Sequence, residues 1–378
     1  MNVLIVCAGT AGHINPAIAV AEGLRELDPK CNILFVGAGR PLENRLIPEA
    51  GFEVRNISMS GLRRSLSPKG LLFNLRAAGK LLRSFGESRR LIAEFSPDYI
   101  FGTGGYVCYP VLREGQKARI PTGVHESNSV AGLAVKALSG RVTNLLTAFS
   151  ETLPQFKNPA AEVLQTPVRS RFYDLTRQSA RELLGIPEKS RLVVSFWGSL
   201  GSSVMNEITK DFDLLAAQRR EFTHIHGAGS ETAAGLIADG AAKACGGSVP
   251  PNVIIKPYLE DAGVYLAAAD LFIGRAGGST IAELCALRLP SILVPSPHVT
   301  GGQQIKNAEG LEKDGAAVVL PEAGLTGAAL YEKTARLLED TEKLDQMRES
   351  LKKKAPGRPA LEIAVRIMEA VQNKKARA

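Results

Sequence analysis

Short, almost wholly apolar runs alternate along the chain with longer stretches in which apolar residues recur every three or four positions. Val3-Leu4-Ile5-Val6-Cys7-Ala8 is the first such run, and an unbroken apolar run bounded by turn residues reads as a strand buried on both faces. It passes into Gly9-Thr10-Ala11-Gly12-His13 and then into a helical pattern predicted over 16–27, with Pro16 in its first turn. Asn32 to Val36, Tyr99 to Phe101 and Thr122 to His125 read as further strands, each running into small or polar residues. The pattern restarts at Leu192 to Phe196, followed by Gly198-Ser199-Leu200-Gly201-Ser202 and a helix predicted over 204–218. Strands are then expected over 222–226, 253–255, 271–273 and 291–294, with helical patterns between them. Strand, loop, helix, repeated in both halves, predicts an α/β protein of two doubly wound parallel-sheet domains. The expected division is 1–165 and 166–356, with a last helix at about 357–374 free to pack back on the first domain. Ligands of open parallel sheets sit at the carboxyl ends of the strands, so two such domains facing each other would line a cleft with these glycine-rich loops.

Composition narrows the class. Of 378 residues, 45% are hydrophobic and 22% charged, which excludes a disordered or collagen-like chain. The longest span without Asp, Glu, Lys or Arg, Met1 to Ala21, is interrupted by Thr10, Gly12, His13, Asn15 and Pro16. No membrane-crossing helix is therefore expected. Nor is a secretory signal, since no Lys or Arg precedes the first apolar run. Five scattered cysteines without a CxxC pair fit a reducing compartment, with Cys7 and Cys285 as core residues.

Charge changes the picture more. Residues 1–160 hold 19 Lys and Arg against 12 Asp and Glu, whereas residues 161–378 hold 27 against 26. The whole net charge of +8 therefore lies almost entirely in the first half, which implies an anionic partner there. Within 63–90, Arg63, Arg64, Lys69, Arg76, Lys80, Arg83, Arg89 and Arg90 stand against the single acid Glu87 and interleave with Leu71, Leu72, Phe73, Leu75, Leu81, Leu82 and Phe85. Such a basic amphipathic element suits an anionic membrane surface; the plainer alternative is a helix packing its apolar face on its own domain. Aromatic residues are few and no nucleic-acid-binding motif accompanies the charge, so no nucleic-acid partner is expected.

Chemistry concentrates in the loops. Gly9-Thr10-Ala11-Gly12-His13 lets backbone amides and a helix start approach phosphate oxygens, or is simply a tight turn. It is neither a dinucleotide fingerprint nor a Walker loop. His13 adds a group that titrates near neutrality. Gly102-Thr103-Gly104-Gly105-Tyr106 is a second small-residue loop. His125-Glu126-Ser127-Asn128 places an imidazole, a carboxylate and an amide together, read as a loop facing solvent or the cleft and suited to base chemistry, or as a turn in which Glu126 caps a helix. Arg275-Ala276-Gly277-Gly278-Ser279-Thr280 leads into a helix in which Glu283 is placed either to accept ribose hydroxyls or merely to complement the helix dipole. Gly301-Gly302-Gln303-Gln304 and Asn307 offer amides that suit sugar hydroxyls. Asp211 and Asp213 form a D-x-D string, but on a helix the two point apart, and they are read as solvated surface rather than a metal site.

Taken in order, Gly9 to Ala17, Gly104-Gly105-Tyr106-Val107, His125 to Asn128, Pro167-Val168-Arg169, Gly198 to Gly201, Pro257 to Asp261, Arg275 to Glu283 and Gln303-Gln304 to Asn307 resemble the MurG family of peptidoglycan N-acetylglucosamine transferases over nearly the whole length. The resemblance implies a GT-B fold and an inverting transfer of GlcNAc from UDP-GlcNAc to the 4-hydroxyl of a lipid-linked muramyl pentapeptide. It implies that Leu259 meets uracil, Glu283 the ribose, and Arg169, Ser199, Gly278, Ser279 and Thr280 the diphosphate, with Gln303 and Gln304 on phosphate and sugar. It implies an acceptor diphosphate near Thr10, Ala11, Gly12, Gly104, Gly105 and Tyr106. His13 is the leading base, Glu126 the second, and Asn128 positions the acceptor. No cofactor is required, a divalent cation being at most stimulatory, and the enzyme would sit peripherally on the cytoplasmic face of the bacterial plasma membrane. Ala8, Ala11, Trp197, Leu164-Gln165-Thr166 and Gly301-Gly302 depart from the usual family pattern. The competing readings are another GT-B enzyme, such as a glycolipid glycosyltransferase or a UDP-GlcNAc 2-epimerase, and a membrane-associated scaffold with a retained nucleotide-sugar pocket.

Overall fold

Strands form where the apolar runs lie. In the computed structural model, which describes residues 1–61, 67–198, 201–354 and 357–377, the first seven are β1 (Asn2–Val6), β2 (Asn32–Gly37), β3 (Glu53–Asn56), β4 (Tyr99–Gly102), β5 (Thr122–Glu126), β6 (Asn144–Thr147) and β7 (Ala161–Val163). They make one parallel sheet in the order β3-β2-β1-β4-β5-β6-β7. The next six are β8 (Leu192–Phe196), β9 (Thr223–Gly227), β10 (Val253–Lys256), β11 (Leu271–Gly274), β12 (Ser291–Leu293) and β13 (Val318–Val319). These form a second parallel sheet in the order β10-β9-β8-β11-β12-β13.

Helices cover both faces of each sheet. Alternation along β1 sends Val3 and Ile5 into one core with Ile14, Ile18 and Leu24 of helix α1 (Ala11–Leu27), and Leu4 and Val6 into another with Val111, Leu112 and Ile92. The chain packs as two units, residues 1–170 with 358–378, and residues 171–357. The division thus falls a few residues beyond that expected from the sequence.

The last helix, Pro359–Arg377, belongs to the first unit. Its Ile363, Ile367 and Val371 join the core around α1. Gly23 of α1 permits this approach, since a Cβ there would lie 2.9 Å from the carbonyl oxygen of Ala360. Arg358 adds a bidentate pair to Glu26, at 2.9 and 3.0 Å.

Three expectations are corrected. Helix α1 starts at Ala11 rather than at 16, so Pro16 lies inside it and gives no N–H to the Gly12 carbonyl. Asp213 is not solvated surface: it is fully buried and bonded to His224 Nδ1, continuing through His224 Nε2–Ser195 Oγ (2.8 Å) to Ser195 Oγ–His226 Nδ1 (2.7 Å). The helix predicted over 204–218 runs Ser203–Arg219, one residue longer at each end.

The basic stretch forms most of helix α3 (Pro68–Phe95), following α2 (Pro41–Glu49). Ala77, Ser84, Ser88, Leu91 and Ile92 face the unit's interior, while Leu75 and Leu82 are 67% and 74% exposed. Arg63 and Arg64 lie outside the described residues, as do the side chains of Lys69, Leu71, Leu72, Phe73 and Arg76. Among the described residues no helix is long and apolar enough to cross a membrane. The cysteines are free, with Cys7 and Cys285 buried.

Candidate active site

In each sheet the strand order reverses beside the first strand, between β1 and β4 and again between β8 and β11. Loops leaving the strands on either side of such a switch point diverge and open a crevice. The sequence-predicted loops are these.

In the first unit, the loop after β1 meets the loop after β4 through His13. Its Nδ1 lies 2.9 Å from the carbonyl oxygen of Thr103, and the Thr103 hydroxyl donates to the His13 carbonyl at 2.7 Å. A carbonyl only accepts, so Nδ1 carries the hydrogen and Nε2 of the neutral ring keeps its lone pair. Gly104, at φ +99°, has no Cβ because one there would touch the imidazole at 2.9 Å. Thr10 is the N-cap of α1, so Ala11 and Gly12 present first-turn amides that have no partner within the helix. The Gly9 amide is different: it donates to Glu43 Oε1 at 2.8 Å. Tyr106, half-buried, receives a hydrogen bond from Arg40 Nε at 3.3 Å. The sequence reading missed both Glu43 and Arg40, although Gly37-Ala38-Gly39 at the end of β2 directly precedes Arg40.

The His125–Asn128 segment is not the solvent-facing loop expected. β5 continues through Glu126, and His125 and Glu126 are buried. His125 Nε2 lies 2.9 Å from the Leu164 carbonyl, and burial pushes its pKa down to about 4. Glu126 Oε1 accepts from the Asn128 amide (3.0 Å) and side chain (3.1 Å), and Oε2 from the Gly132 amide (2.8 Å). Gly132 is the N-cap of the helix Leu133–Leu138. Glu126 therefore shapes the loop that carries Asn128.

In the second unit, Ser199 lies outside the described residues. Ser202 caps the helix Ser203–Arg219 with its hydroxyl, which also accepts from Arg275 at 3.2 Å. Arg275 also donates to the Val294 carbonyl (3.0 Å) and pairs with Glu322 (2.6 Å). It therefore ties together the chain after β8, β11 and β12. Trp197, the family departure, points into the core and donates to Thr209 at 3.0 Å. The helix Gly278–Leu287 begins with Gly278, Ser279 and Thr280 after the N-cap Gly277, an amide-rich positive end. Glu283 lies on the same helix; desolvation raises its pKa to about 7, with Arg171 acting in the opposite sense. Leu259 is half-buried after β10. Gln303 opens the helix Gln303–Lys313, and Gln304 Oε1 accepts from the Ser296 amide at 2.9 Å. Asn307 is not available to a sugar as expected: it is buried and donates to the Ala276 carbonyl at 3.1 Å. Arg169 packs with the first unit, where it pairs with Glu22 at 2.7 Å.

Comparison with known proteins follows the same division. Residues 3–147 match the glycosyltransferase family 28 N-terminal domain and residues 192–359 its C-terminal domain. An enzyme of Acetivibrio thermocellus named UDP-N-acetylglucosamine--N-acetylmuramyl-(pentapeptide) pyrophosphoryl-undecaprenol N-acetylglucosamine transferase is 40% identical over 353 residues, 93% of each chain. One of the same name from Desulforudis audaxviator is 38% identical over the full length of both. The crystal structure of Acinetobacter baumannii MurG matches with a TM-score of 0.73 at 25% identity, covering 97% of this chain and 99% of its own. A UDP-GlcNAc 2-epimerase from Neisseria meningitidis shares the fold, with a TM-score of 0.64 at 11% identity and 98% and 100% coverage. With both domain models matched and full-length relatives well above 30% identity, the chain belongs to glycosyltransferase family 28, among its MurG-type N-acetylglucosamine transferases.

Proposed function

We propose that the protein transfers GlcNAc from UDP-GlcNAc to the 4-hydroxyl of a muramyl pentapeptide carried on a polyprenyl diphosphate, with inversion at the anomeric carbon. The observation that carries this reading is His13: half-buried at a switch point, with Nδ1 committed to the Thr103 carbonyl and Nε2 left basic. His13 Nε2 takes the proton from the 4-hydroxyl as that oxygen attacks the anomeric carbon. The bond to the diphosphate breaks and UDP leaves. Ala11 and Gly12 amides, with Gly104, Gly105 and Tyr106 beside them, receive the acceptor diphosphate, and Asn128 orients the sugar. Glu126, with three hydrogen bonds already accepted, is assigned to positioning that loop rather than to proton transfer.

In the second unit the donor diphosphate lies at the start of the helix Gly278–Leu287, on Gly278, Ser279 and Thr280, with Ser199 as a further ligand; Arg169, packed with the first unit and paired with Glu22, is not counted among them. Glu283 accepts the ribose hydroxyls, the Leu259 backbone meets uracil, and Gln303 and Gln304 meet phosphate and sugar. The leaving diphosphate is stabilised by amides and helix dipole, so no cofactor is required in this reading. The exposed Leu75 and Leu82, with exposed Lys80, Arg83 and Arg89 on the same helix α3, support peripheral attachment to the anionic cytoplasmic face of a bacterial plasma membrane, where a lipid-linked acceptor resides.

UDP release from UDP-GlcNAc, with and without a short-chain lipid-linked muramyl pentapeptide, tests the reading. Release that depends on the acceptor is expected. Conversion of UDP-GlcNAc to UDP-ManNAc without acceptor would place the protein with the epimerases that share its fold.

A further inference from the structure

Behind the loop assigned to the acceptor diphosphate stands a buried carboxylate. Glu43, on the first turn of α2, is 0% exposed. Its Oε1 accepts from the Gly9 amide at 2.8 Å, and its Oε2 from the amides of Ala38 (2.7 Å) and Arg40 (3.1 Å). This carboxylate fixes the loop after β2 against the loop after β1. It also removes one amide from the anion-binding set and sets a negative charge beside the place a diphosphate would occupy. A diphosphate there needs a cation to offset that charge.

Arg40 is the group so placed. Its backbone is indexed to Gly9 through Glu43, and its Nε donates to the Tyr106 hydroxyl of the loop after β4, at 3.3 Å. The side chain is exposed. Among the described residues its two terminal nitrogens have no hydrogen-bond or ion-pair partner. An arginine tethered at its backbone and at Nε keeps a planar pair of donors oriented for phosphate oxygens and gives up little further freedom on binding. We propose that Arg40 is a diphosphate-binding residue of the acceptor site, held in place by Glu43 and Tyr106. The proposal rests on the reading that the first unit receives a lipid-linked diphosphate acceptor.

Steady-state kinetics of Arg40→Ala, Arg40→Lys and Tyr106→Phe test it, with UDP-GlcNAc and the short-chain acceptor varied separately and thermal unfolding followed as a control on folding. In Arg40→Ala the acceptor KM rises about 10- to 100-fold while the donor KM holds, the range expected for losing charge-assisted hydrogen bonds. Arg40→Lys restores part of the loss, and Tyr106→Phe raises acceptor KM by a few fold. Inorganic pyrophosphate competes with the acceptor in the parent enzyme and loses potency in Arg40→Ala by a similar factor. An unchanged acceptor KM in a folded Arg40→Ala, a fall in kcat alone, or an equal rise in both KM values overturns the proposal and leaves the transferase reading standing. A parent enzyme that does not turn over the acceptor removes both.

Discussion

The imidazole of His13 and the carboxylate of Glu126 look equally suited to proton transfer when read as letters, and burial separates them. Glu126 accepts three hydrogen bonds from its own loop, whereas His13 commits Nδ1 and, among the described residues, leaves Nε2 without a partner. His13→Ala is therefore expected to lower kcat by about 10²- to 10⁴-fold with both KM values within a few fold; an unchanged kcat would remove the base assignment. Glu283 makes a second residue-scale prediction. Its carboxyl titrates near 7 because burial disfavours the charge. In the role proposed for it, the ionised form accepts from ribose hydroxyls, so UDP affinity is expected to rise as pH climbs from about 6 to 8 and the proton is lost. Below the pKa the change is up to about tenfold per pH unit. Glu283→Gln should flatten that profile in calorimetric titrations, and a profile that keeps its slope would relocate the titrating group. Glu43 and Arg40 were invisible in the sequence because their role depends on which amides the fold brings to them.

At the scale of elements, strands were the legible part. β1, β8 and β11 are buried on both faces, and that alone writes an unbroken apolar run. Helix starts were less legible: Pro16 reads as a first-turn residue, yet the helix starts five positions earlier at Ala11, which brings His13 into its first turn. The end of β5 was misread for a related reason. A strand that carries His125 and Glu126 inward, with partners for each, lacks the apolar signature of a buried strand. Helix α3 packs one face through Leu91 and Ile92, as the plainer reading of the basic stretch expects, and exposes Leu75 and Leu82 on another. The protein is expected to sediment with anionic vesicles at low salt. Neutralising Lys80, Arg83 and Arg89 should weaken this by about 1 kcal/mol each. Sedimentation that is indifferent to salt and to these charges would count against α3 as the contact.

For the whole molecule, two buried histidines link folding to pH, one in each unit. Burial depresses His125 to about 4 and holds His226 well below its ordinary 6.5. Both take up a proton on unfolding near pH 6 but not in the folded state. Stability is therefore full above about 6.5 and falls as pH drops toward 4, by up to about 1.4 kcal/mol per pH unit for each histidine. Denaturant midpoints that stay level from pH 7 to 5 would contradict this. The doubly wound plan of both units was readable from the repeated alternation of strand and helix. The sequence leaves the last helix free to pack on the first domain without deciding it; its place there rests on the absent side chain of Gly23 and on a pairing between Arg358 and Glu26, far apart in the chain.

The roles of His13, Arg40 and Glu283 meet in one reaction, sugar transfer to a lipid-linked acceptor. Its most direct test incubates the purified protein with UDP-GlcNAc and the short-chain muramyl-pentapeptide acceptor, and follows UDP by coupled assay and acceptor mass by spectrometry. One UDP is expected for each acceptor that gains one N-acetylhexosamine, and neither product without acceptor. UDP release with the acceptor mass unchanged, or UDP-ManNAc formed in its absence, would contradict it.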